Sequence, residues 1–373
     1  MSEGLRLGVI GAGGFGLFAL QHFTQVAGVR LAGMAGTHRE PALAMAKRFD
    51  VPNVEDPDLL VRRSDIDMVY IATPPFLHYP QALSALRHGK HVICEKPLAL
   101  TVEQATELVD LAREKRLVMV ANLMQRYNPL YGIVTDLIAQ APLGDLLHGF
   151  FENYASDEGL PPEHWFWDRT KSGGIFIEHG VHFFDMFTGW LGPGRVVAAQ
   201  GVTRPGTPDL EDEVNSTVRH GDILVNIYHS FTQPSKMDRQ ELRLLFELGD
   251  ITLYGWVPTR VHLRALADER ATRALMNLFP GARLDITETF HGKGRAMTGR
   301  HRERDVSQRI EIRWGDEIQK MHRYGDLLKA MMRDQMAWIE DPAHQRLVTE
   351  QNGLDSVELA VQATDLARSS TPA

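Results

Sequence analysis

The sequence predicts an α/β protein whose N-terminal part is a doubly wound parallel sheet. Three observations support this fold class: a glycine-rich turn directly after the first apolar run, an alternation of apolar runs with helical patterns, and one run that is apolar at every position. With 373 residues the chain is too long for one ordinary core, so we expect two domains.

The first strand and the turn after it have the pattern of a dinucleotide site. Leu5–Ile10 is a short apolar run, and a helical pattern follows the turn to about Thr24. The turn reads G-x-G-x-x-G, where the glycines permit a tight bend, close approach of a pyrophosphate and close strand–helix packing. A glycine-rich turn without a ligand is the alternative. The residues expected to bind the cofactor here are Gly11, Gly13, Gly14, Phe15 and Gly16.

Strands and helices continue to alternate up to about residue 123. Met68–Ala72 is apolar throughout, as expected of a parallel strand that is covered on both faces. Thr101 is a candidate N-cap for a helix over Val102–Lys115. In such a sheet a ligand binds at the carboxyl ends of the strands. The other predicted elements are strands over Val29–Ala35, Val92–Cys94 and Val118–Ala121, and helices over Pro41–Phe49 and Tyr79–His88.

The end of the second strand indicates which nucleotide binds. An NAD-binding fold usually has an acid there to hold the ribose 2′-hydroxyl. Here the positions are Gly36, Thr37, His38 and Arg39, with no carboxylate before Glu40. A small residue, a hydroxyl and a cation would instead accommodate a 2′-phosphate. We therefore favour NADP over NAD, with Thr37, His38 and Arg39 as its ligands; the alternative is that Arg39 is solvated and the protein does not discriminate.

Composition limits the classes of function. The net charge of −8 is spread along the chain, which argues against a dedicated nucleic-acid or anionic-membrane binder. Cys94 is the one cysteine, so no intrachain disulfide can form and a reducing compartment is expected. The first residues lack the features of a signal peptide, and no apolar run approaches the roughly 20 residues that span a bilayer. We expect a cytoplasmic protein.

Three further segments resemble one family. Ile71–Leu98 contains A-T-P-P-x-x-H and E-K-P, and Ser172–Asp185 reads SGGIFIEHGVHFFD. With the C-terminal segment Thr349–Ser369, these motifs resemble those of the Gfo/Idh/MocA oxidoreductases, a family that includes glucose–fructose oxidoreductase and inositol dehydrogenase. The region around residues 255–315 matches this pattern poorly.

The resemblance implies two domains. Residues 1–123 would form a Rossmann NAD(P)-binding domain, and residues 124–373 an α/β domain for substrate binding and oligomerisation with an open, mostly antiparallel sheet. The outer face of that sheet commonly joins protomers in the family, so a homodimer or homotetramer is expected. The C-terminal helix over residues 352–368 is expected to pack near the first domain.

The sequence after residue 190 is compatible with such a sheet. Short β-branched or aromatic runs are separated by Gly, Pro and Asp, and His220-Gly221-Asp222 suits a hairpin turn. Helical periodicity returns over Asp326–Glu340 and Asn352–Arg368. The predicted strands are Val196–Val202, Glu213–Arg219, Leu224–Ser230, Leu242–Leu248 and Ile251–Trp256.

The resemblance also implies catalytic roles for Lys96, His182 and Glu178. Lys96, at the end of a predicted strand, would polarise the substrate oxygen and stabilise a developing alkoxide. His182 would carry the proton, since an imidazole pKa of ~6.5 suits transfer at neutral pH. Glu178 would orient or tune the imidazole from one helical turn earlier. The family usually has Asp at this position, so Glu178 departs from the pattern.

The remaining site residues follow from the same motifs. His179 and His182 form H-x-x-H rather than the i, i+4 pair typical of zinc sites, so no metal is expected. The alternative to substrate contact is that His179, Trp165 and Trp167 pack in the core. The residues expected to contact the cofactor are Thr73, Pro74, His78, Glu95 and Lys96, and those expected to face the substrate are Arg126, Asn128, Trp167, Arg169 and His179.

The activity implied is NAD(P)-dependent oxidoreduction of a secondary alcohol or ketone on a sugar, polyol or cyclic diol. Two alternatives are a redox-neutral, NAD-dependent glycoside hydrolase and a non-catalytic NADP-sensing regulator. The basic segment His291–Asp305 lacks the pattern of a Walker phosphate loop. We expect that segment to be solvated or to contact another protomer.

Overall fold

The computed structural model describes residues 4–370 apart from residues 12, 37–38, 52–53, 208–209 and 316–319. The first sheet is parallel, and its strand order is β3-β2-β1-β4-β5-β6, the doubly wound arrangement. Its strands are β1 (Leu5–Ile10), β2 (Val29–Ala35), β3 (Val54–Glu55), β4 (Met68–Ile71), β5 (His91–Cys94) and β6 (Met119–Ala121). This confirms the predicted parallel sheet.

Helices connect these strands on both faces of the sheet. Thr101 caps the last of them, because its hydroxyl accepts a hydrogen bond of 3.3 Å from the backbone N–H of Gln104. All four residues of β4 are fully buried, as its apolar run predicts. The helices are α1 (Gly14–Phe23), α2 (Arg39–Arg48), α3 (Pro57–Arg62), α4 (His78–Arg87) and α5 (Val102–Lys115). Sequence patterns did not predict β3 and α3, which are short.

The turn between β1 and α1 requires glycine. Gly11 has a φ of +106°, and a Cβ there would lie 2.6 Å from the carbonyl oxygen of Ala72, just after β4. At Gly16 a Cβ would lie 2.9 Å from the carbonyl oxygen of Gly11. The first and last glycines of the motif therefore let β1, β4 and α1 approach each other closely.

The second sheet contains nine strands in the order β14-β17-β13-β12-β11-β7-β10-β9-β8. Neighbouring strands are antiparallel except for the parallel pair β7 and β10, which confirms the mostly antiparallel sheet. Its strands are β7 (Leu146–Ser156), β8 (Arg195–Thr203), β9 (Glu211–His220), β10 (Ile223–Gln233), β11 (Arg239–Phe246), β12 (Gly249–Tyr254), β13 (Arg260–Ala267), β14 (Arg283–Thr289) and β17 (Gln308–Gly315).

Helices cover one face of this sheet. Residues alternate along β9 and β13 between buried and more exposed positions, as expected when one face packs on the core. The predicted turn joins β9 to β10, since His220 pairs with Ile223 across it. The remaining helices are α6 (Pro129–Gln140), α7 (Arg169–Ser172), α8 (Val181–Leu191), α9 (Glu269–Leu278), α10 (Lys320–Glu340) and α11 (Glu350–Ser370).

Two hydrophobic cores lie beneath the two sheets, and α11 contributes to both. Leu354 and Val357 pack in the core of the first sheet, whereas Ala360 and Ala363 pack in that of the second. The C-terminal helix thus packs against the cores of both sheets. Among the helices of the described residues, none has both the length and the apolar composition for a bilayer span.

Two segments differ from their predicted structure. The stretch that contains Glu178 and His182, expected to be helical, begins with a π-helical turn over Phe176–Gly180, and α8 starts only after it. Such wide turns often occur at functional sites. The basic segment forms a short hairpin of β15 (Ala296–Gly299) and β16 (Arg302–Asp305), whose Arg304 donates to the Glu247 carboxylate at 2.7 Å. It is mostly exposed, yet anchored by this ion pair.

A pair of glycine substitutions tests the turn. Gly11→Ala should lower the free energy of unfolding by about 2 kcal/mol or more, because the methyl group meets backbone atoms at a φ that L-residues rarely adopt. Gly13→Ala is the control, since no atom of the described residues lies within 4 Å of its added Cβ. Urea unfolding midpoints measure both. Equal midpoints for the two variants would show that the close approach to Ala72 is not a constraint.

Candidate functional site

A cavity of about 670 Å³ lies at the carboxyl ends of the first sheet, between the two domains. Its position beside β1 and β4 is the point where the strand order reverses, which is where open α/β sheets bind ligands. The first domain contributes Gly13–Gly16, Ala72–Pro75, Glu95 and Lys96 to its walls. The rest of the chain contributes Leu160, His164, Trp165, Phe166, Glu178, His179, His182, Phe231, Trp256 and Tyr324.

The glycine turn forms one end of the cavity and fits a pyrophosphate. No described atom lies within 4 Å of a Cβ added at Gly13 or Gly14, so the space above both glycines is open. Within the described chain, no side chain caps α1 at Gly13, and its first N–H groups remain available to an anion. Phe15 packs against Tyr324 of α10, with ring centroids 5.4 Å apart. The residues present therefore fit a dinucleotide.

The residues predicted to read the ribose phosphate are not all described. Thr37 and His38 lie outside the described residues. Arg39 begins α2, but its side chain lies outside what the structure describes. Thr73 and Pro74 line the cavity, where their contact with the cofactor stays a prediction, and the Thr73 hydroxyl donates to Gln81 at 2.7 Å.

Glu95 is a buried carboxylate at the end of β5. It accepts hydrogen bonds from the Tyr70 hydroxyl at 2.6 Å and from the Asn122 amide at 2.7 Å. Burial raises the pKa of Glu95, while these two donors act in the opposite direction. Because both partners belong to neighbouring strands, Glu95 is held rigidly and directs the next residue, Lys96, into the cavity.

His78 does not line the cavity, contrary to the prediction that it contacts the cofactor. It is fully buried, and its two ring nitrogens lie 2.7 Å from the carbonyl oxygens of Thr73 and Pro97. Burial lowers the pKa of His78. The ring therefore braces two backbone segments that do line the cavity, rather than touching a ligand itself.

Lys96 forms an ion pair with Glu178 across the cleft. Its ammonium group donates to the Glu178 carboxylate and, at 2.8 Å, to the Glu178 backbone carbonyl. An ammonium has three N–H donors, so one remains for the cavity. This corrects the expectation that Glu178 orients the imidazole of His182. The side chain of Glu is one methylene longer than that of Asp, and here it reaches Lys96 in the other domain.

His182 lies on the same cavity as Lys96 and is almost completely buried. Burial lowers its pKa well below the ordinary value, and the positive charge of Lys96 acts in the same direction. At neutral pH the ring is therefore an uncharged proton acceptor. It stands edge-on to Trp256, with ring centroids 5.5 Å apart, and its Nδ1 has no hydrogen-bond partner among the described residues.

His179 forms a second imidazole wall. Its ring stacks on Trp256 at a centroid distance of 4.2 Å and an interplanar angle of 16°. Behind it, at 5.4 Å, lies the ring of His229 on the inner face of the second sheet. Burial lowers the pKa of both rings well below the ordinary value. His179 lines the cavity, and its contact with the substrate stays a prediction.

Arg126 and Asn128 are not on the cavity, contrary to prediction. Arg126 donates to Asp185 at 2.8 Å, and burial raises the pKa of that carboxyl to about 6. Asn128 caps α6 by accepting from the N–H of Leu130 at 3.0 Å, and its amide donates to the Pro258 carbonyl at 2.9 Å. Contacts with other elements thus occupy both side chains.

Trp167 and Arg169 also lie away from the cavity. The Trp167 indole donates to the Leu160 carbonyl at 3.0 Å, and Arg169 pairs with Glu211 at 3.0 Å. The neighbouring rings of Trp165 and Phe166 form the wall instead. The aromatic segment around residue 166 does contribute to the cavity wall, but through the two residues that precede Trp167.

Phe231, Trp256 and Tyr324 are cavity residues that sequence reasoning missed. Trp256 stood only as the end of a predicted strand, and Tyr324 precedes the helix predicted from residue 326. Within the described ranges, no group of three or more His, Cys, Asp or Glu is arranged to hold a metal ion. The site is thus one ammonium, neutral imidazoles and aromatic walls, which together can polarise an oxygen and accept its proton.

Two family models match the chain. The model described as an oxidoreductase family with an NAD-binding Rossmann fold matches residues 5–123, and the GFO/IDH/MocA C-terminal domain matches residues 133–252. Both sheets and the residues Lys96, Glu178 and His182 fall largely within these matches.

Similarity to curated proteins points the same way. The chain is 38% identical over 284 residues to dTDP-3,4-didehydro-2,6-dideoxy-alpha-D-glucose 3-reductase of Streptomyces violaceoruber, covering 71% of this chain and 78% of that protein. It is 33% identical over 210 residues to an uncharacterized oxidoreductase of Synechocystis sp., covering 53% of this chain and 54% of that protein. The chain thus matches about half of the latter's length. A glycosyl hydrolase family 109 protein of Shewanella sp. is 30% identical over 201 residues, covering 48% of this chain and 43% of that protein.

Solved structures share the fold over nearly the whole chain. Levoglucosan dehydrogenase in complex with NADH and levoglucosan has a TM-score of 0.76 at 19% identity, covering 99% of this chain and 98% of that one. Biliverdin reductase of Synechocystis sp. in complex with biliverdin and NADP+ has a TM-score of 0.70 at 17% identity, covering 98% of this chain and 99% of that one. At these identities the comparison supports the fold.

The buried His229 predicts a loss of stability in acid. Its pKa in the folded state is lowered, so between that value and about 6.5 the unfolded chain binds a proton that the folded chain does not. Stability is complete above this range and is lost as the pH falls through it. The stability of His229→Phe relative to wild type should therefore rise by up to about 2 kcal/mol from about pH 7.5 to about pH 5.

Urea unfolding at a series of pH values measures this difference. Phe151→Leu is the packing control, because Phe151 lies beside His229 with ring centroids 5.3 Å apart and does not titrate. The difference in the free energy of unfolding between Phe151→Leu and wild type should stay constant with pH. If the free energy of unfolding changes with pH in the same way for His229→Phe and wild type, the His229 ring is not held neutral.

Proposed function

Because the chain belongs to the GFO/IDH/MocA family of NAD-binding oxidoreductases, we propose that it oxidises a secondary alcohol, or reduces the matching ketone, of a sugar, polyol or cyclic diol. The observation that carries this proposal is that Lys96 and His182 come from different domains and line one cavity beside the glycine turn. The sugar reductase and levoglucosan dehydrogenase among its relatives support the substrate class.

The chain's own residues have separate tasks in this reaction. Lys96 donates a hydrogen bond to the substrate oxygen and stabilises negative charge on it. His182, held neutral by burial, accepts the hydroxyl proton in the oxidative direction and returns it in the reductive direction. Glu178 holds the Lys96 ammonium in place through the ion pair. A nicotinamide cofactor bound along Gly13–Gly16 supplies the hydride acceptor or donor.

Aromatic side chains complete the site. Trp165, Phe166 and Trp256 provide apolar faces on which a ring can lie, and they limit the access of water to the reacting atoms. Excluding water strengthens the interaction between Lys96 and a developing alkoxide, because the local dielectric constant is lower.

We propose that NADP is the preferred cofactor. The segment from Gly36 to Arg39 has no carboxylate that would repel a 2′-phosphate. Its last residue, Arg39, is also the first residue of α2. Relatives with this fold include complexes with NADP+ and with NADH, so either cofactor is compatible with the architecture.

We also propose that the protein forms a homodimer or homotetramer through the outer face of the nine-stranded sheet. The helices cover the opposite face, and this face includes the exposed Leu245 beside the half-buried Phe150 on a neighbouring strand. Light scattering that finds a monomer at micromolar concentration would contradict this assembly.

A redox-neutral glycoside hydrolase is the second candidate, favoured by the relatives named as glycosyl hydrolase family 109 proteins. Such an enzyme would purify with its cofactor bound and show no net absorbance change at roughly 340 nm during turnover. Net formation or consumption of reduced cofactor would exclude it.

A parallel substrate screen tests the proposed activity. Purified protein is mixed with sugars, polyols and cyclic diols in the presence of NADP+ or NAD+, and the matching ketones with NADPH or NADH. At least one substrate should give turnover, with NADP giving the higher kcat/KM. The proposal would be contradicted if the protein binds NADP or NAD but neither oxidises any of the alcohols nor reduces any of the ketones.

Two substitutions test the roles of the catalytic pair. His182→Ala should lower kcat by about 10²–10⁴ and Lys96→Met should lower kcat/KM by about 10²–10³, because one removes the proton acceptor and the other the charge on the oxygen. His182→Ala should not change the Kd for NADP appreciably. His148→Ala, on the outer face of the second sheet, is the control and should keep wild-type kinetics. If His182→Ala weakened kcat and NADP binding equally, its role as the proton carrier would be wrong.

A further inference from the structure

A group of buried polar side chains lies behind the catalytic wall, and the activity proposed above does not use all of it. We call it the inner polar cluster and define it as Asn153, His179, His182 and His229. The side chains of Asn153 and His229 are completely buried. Both amide atoms of Asn153, both ring nitrogens of His229, and Nδ1 of His179 and of His182 have no hydrogen-bond partner in the described parts of the chain.

The cluster is continuous with the cavity. Asn153 on β7 and His229 on β10 are direct neighbours in the register of the parallel pair. Both lie on the face that packs against the helices, as their neighbours Phe151 and Ile227 do. The His229 ring is 5.4 Å from that of His179, which together with His182 lines the cavity. The His179 ring thus stands between the cavity and the two deeper residues.

Buried polar atoms without partners require a ligand or ordered water. Folded proteins satisfy nearly all such atoms, and each exception calls for an explanation. Among the described residues, six of the twelve such atoms lie side by side here, next to a cavity, and the other six are on six different residues elsewhere. Their concentration at this place indicates a binding surface that a polar molecule completes.

The chemistry of the cluster indicates what that molecule carries. Burial lowers the pKa of all three histidines well below the ordinary value, so each ring is neutral with one donor and one acceptor nitrogen. The Asn153 amide also both donates and accepts. A hydroxyl group does the same, whereas a carboxylate or phosphate accepts only. The nearby ammonium of Lys96 is already paired with Glu178.

We propose that the inner polar cluster binds a second hydroxyl group of the substrate, distinct from the one that reacts at Lys96 and His182. The preferred substrates are then neutral rings with at least two hydroxyl groups, not monoalcohols or acids. Binding turns the His179 ring aside so that the hydroxyl reaches His229 and Asn153. This inference rests on the proposed function, because it places the reacting hydroxyl at the catalytic pair.

Three cyclohexanol-based probes, which differ only in the substituent beside the hydroxyl group, test the subsite. They are trans-1,2-cyclohexanediol, cyclohexanol and 2-hydroxycyclohexanecarboxylate, each titrated by NMR into protein saturated with NADP+. Wild type should bind the diol about tenfold more tightly than cyclohexanol, the size expected for one added hydrogen-bonded group. It should bind the carboxylate no better than cyclohexanol. Equal affinities for diol and cyclohexanol in wild type would overturn the proposal.

Matched variants identify the residues responsible. His229→Phe and Asn153→Leu should bind diol and cyclohexanol equally, because they remove the polar partners while keeping the side-chain volume similar. The controls are His148→Phe and Asn226→Leu, which carry the same residue types on the same two strands but face the other side, where they bond to each other at 2.8 Å. Both controls should keep the wild-type preference.

The outcomes separate this inference from the proposed function. If the cluster holds ordered water only, His229→Phe and Asn153→Leu will keep the diol preference, and the subsite is refuted. Reduction of NADP+ by alcohols with no diol preference would refute the subsite and leave the activity intact. Selective diol binding with no reduction under any condition would refute the activity and leave the subsite intact.

Discussion

The ion pair between Lys96 and Glu178 is the interaction on which the arrangement of the site depends. Lys96 ends a strand of the first sheet, and Glu178 lies in the π-helical turn before α8 of the second domain. Because the ammonium also bonds to the Glu178 backbone carbonyl, the pair fixes the main chain of that turn as well as a side chain. The pair is partly buried, so its energy depends on this geometry being kept.

Electrostatics in the cavity follow from burial. Removing an imidazole from water disfavours its protonated form, and a neighbouring ammonium does so further. His182 and His179 experience both effects, and burial is the larger. The site therefore holds a cation, its carboxylate partner and uncharged rings. An acceptor for a proton and a donor to an oxyanion can then line the same cavity without either neutralising the other.

Sequence patterns predicted the first domain well because its determinants are local. Strand burial, the glycine turn and the Thr101 cap each depend on residues close together in the chain. Lys96, His179 and His182, which lie within recognisable motifs, all line the cavity, and their roles stay predictions. Predictions failed where a side chain's partner is remote: Arg126 pairs with Asp185, and Asn128 bonds to the Pro258 carbonyl. Tyr324 joins the cavity from a helix some 200 residues beyond the parallel sheet, and no local pattern indicates such a contact.

The helix α11 has a consequence for synthesis on the ribosome. The core of the parallel sheet includes Leu98 and also Leu354 and Val357, which are translated some 230 residues after β6. Close contact is built in, since a Cβ at Gly353 would lie 2.9 Å from the Leu98 side chain. The N-terminal strands therefore leave the exit tunnel long before the segment that covers them. Until α11 docks, the nascent chain exposes an apolar surface at β6 and α5, and transiently exposed surface of this kind is prone to aggregation.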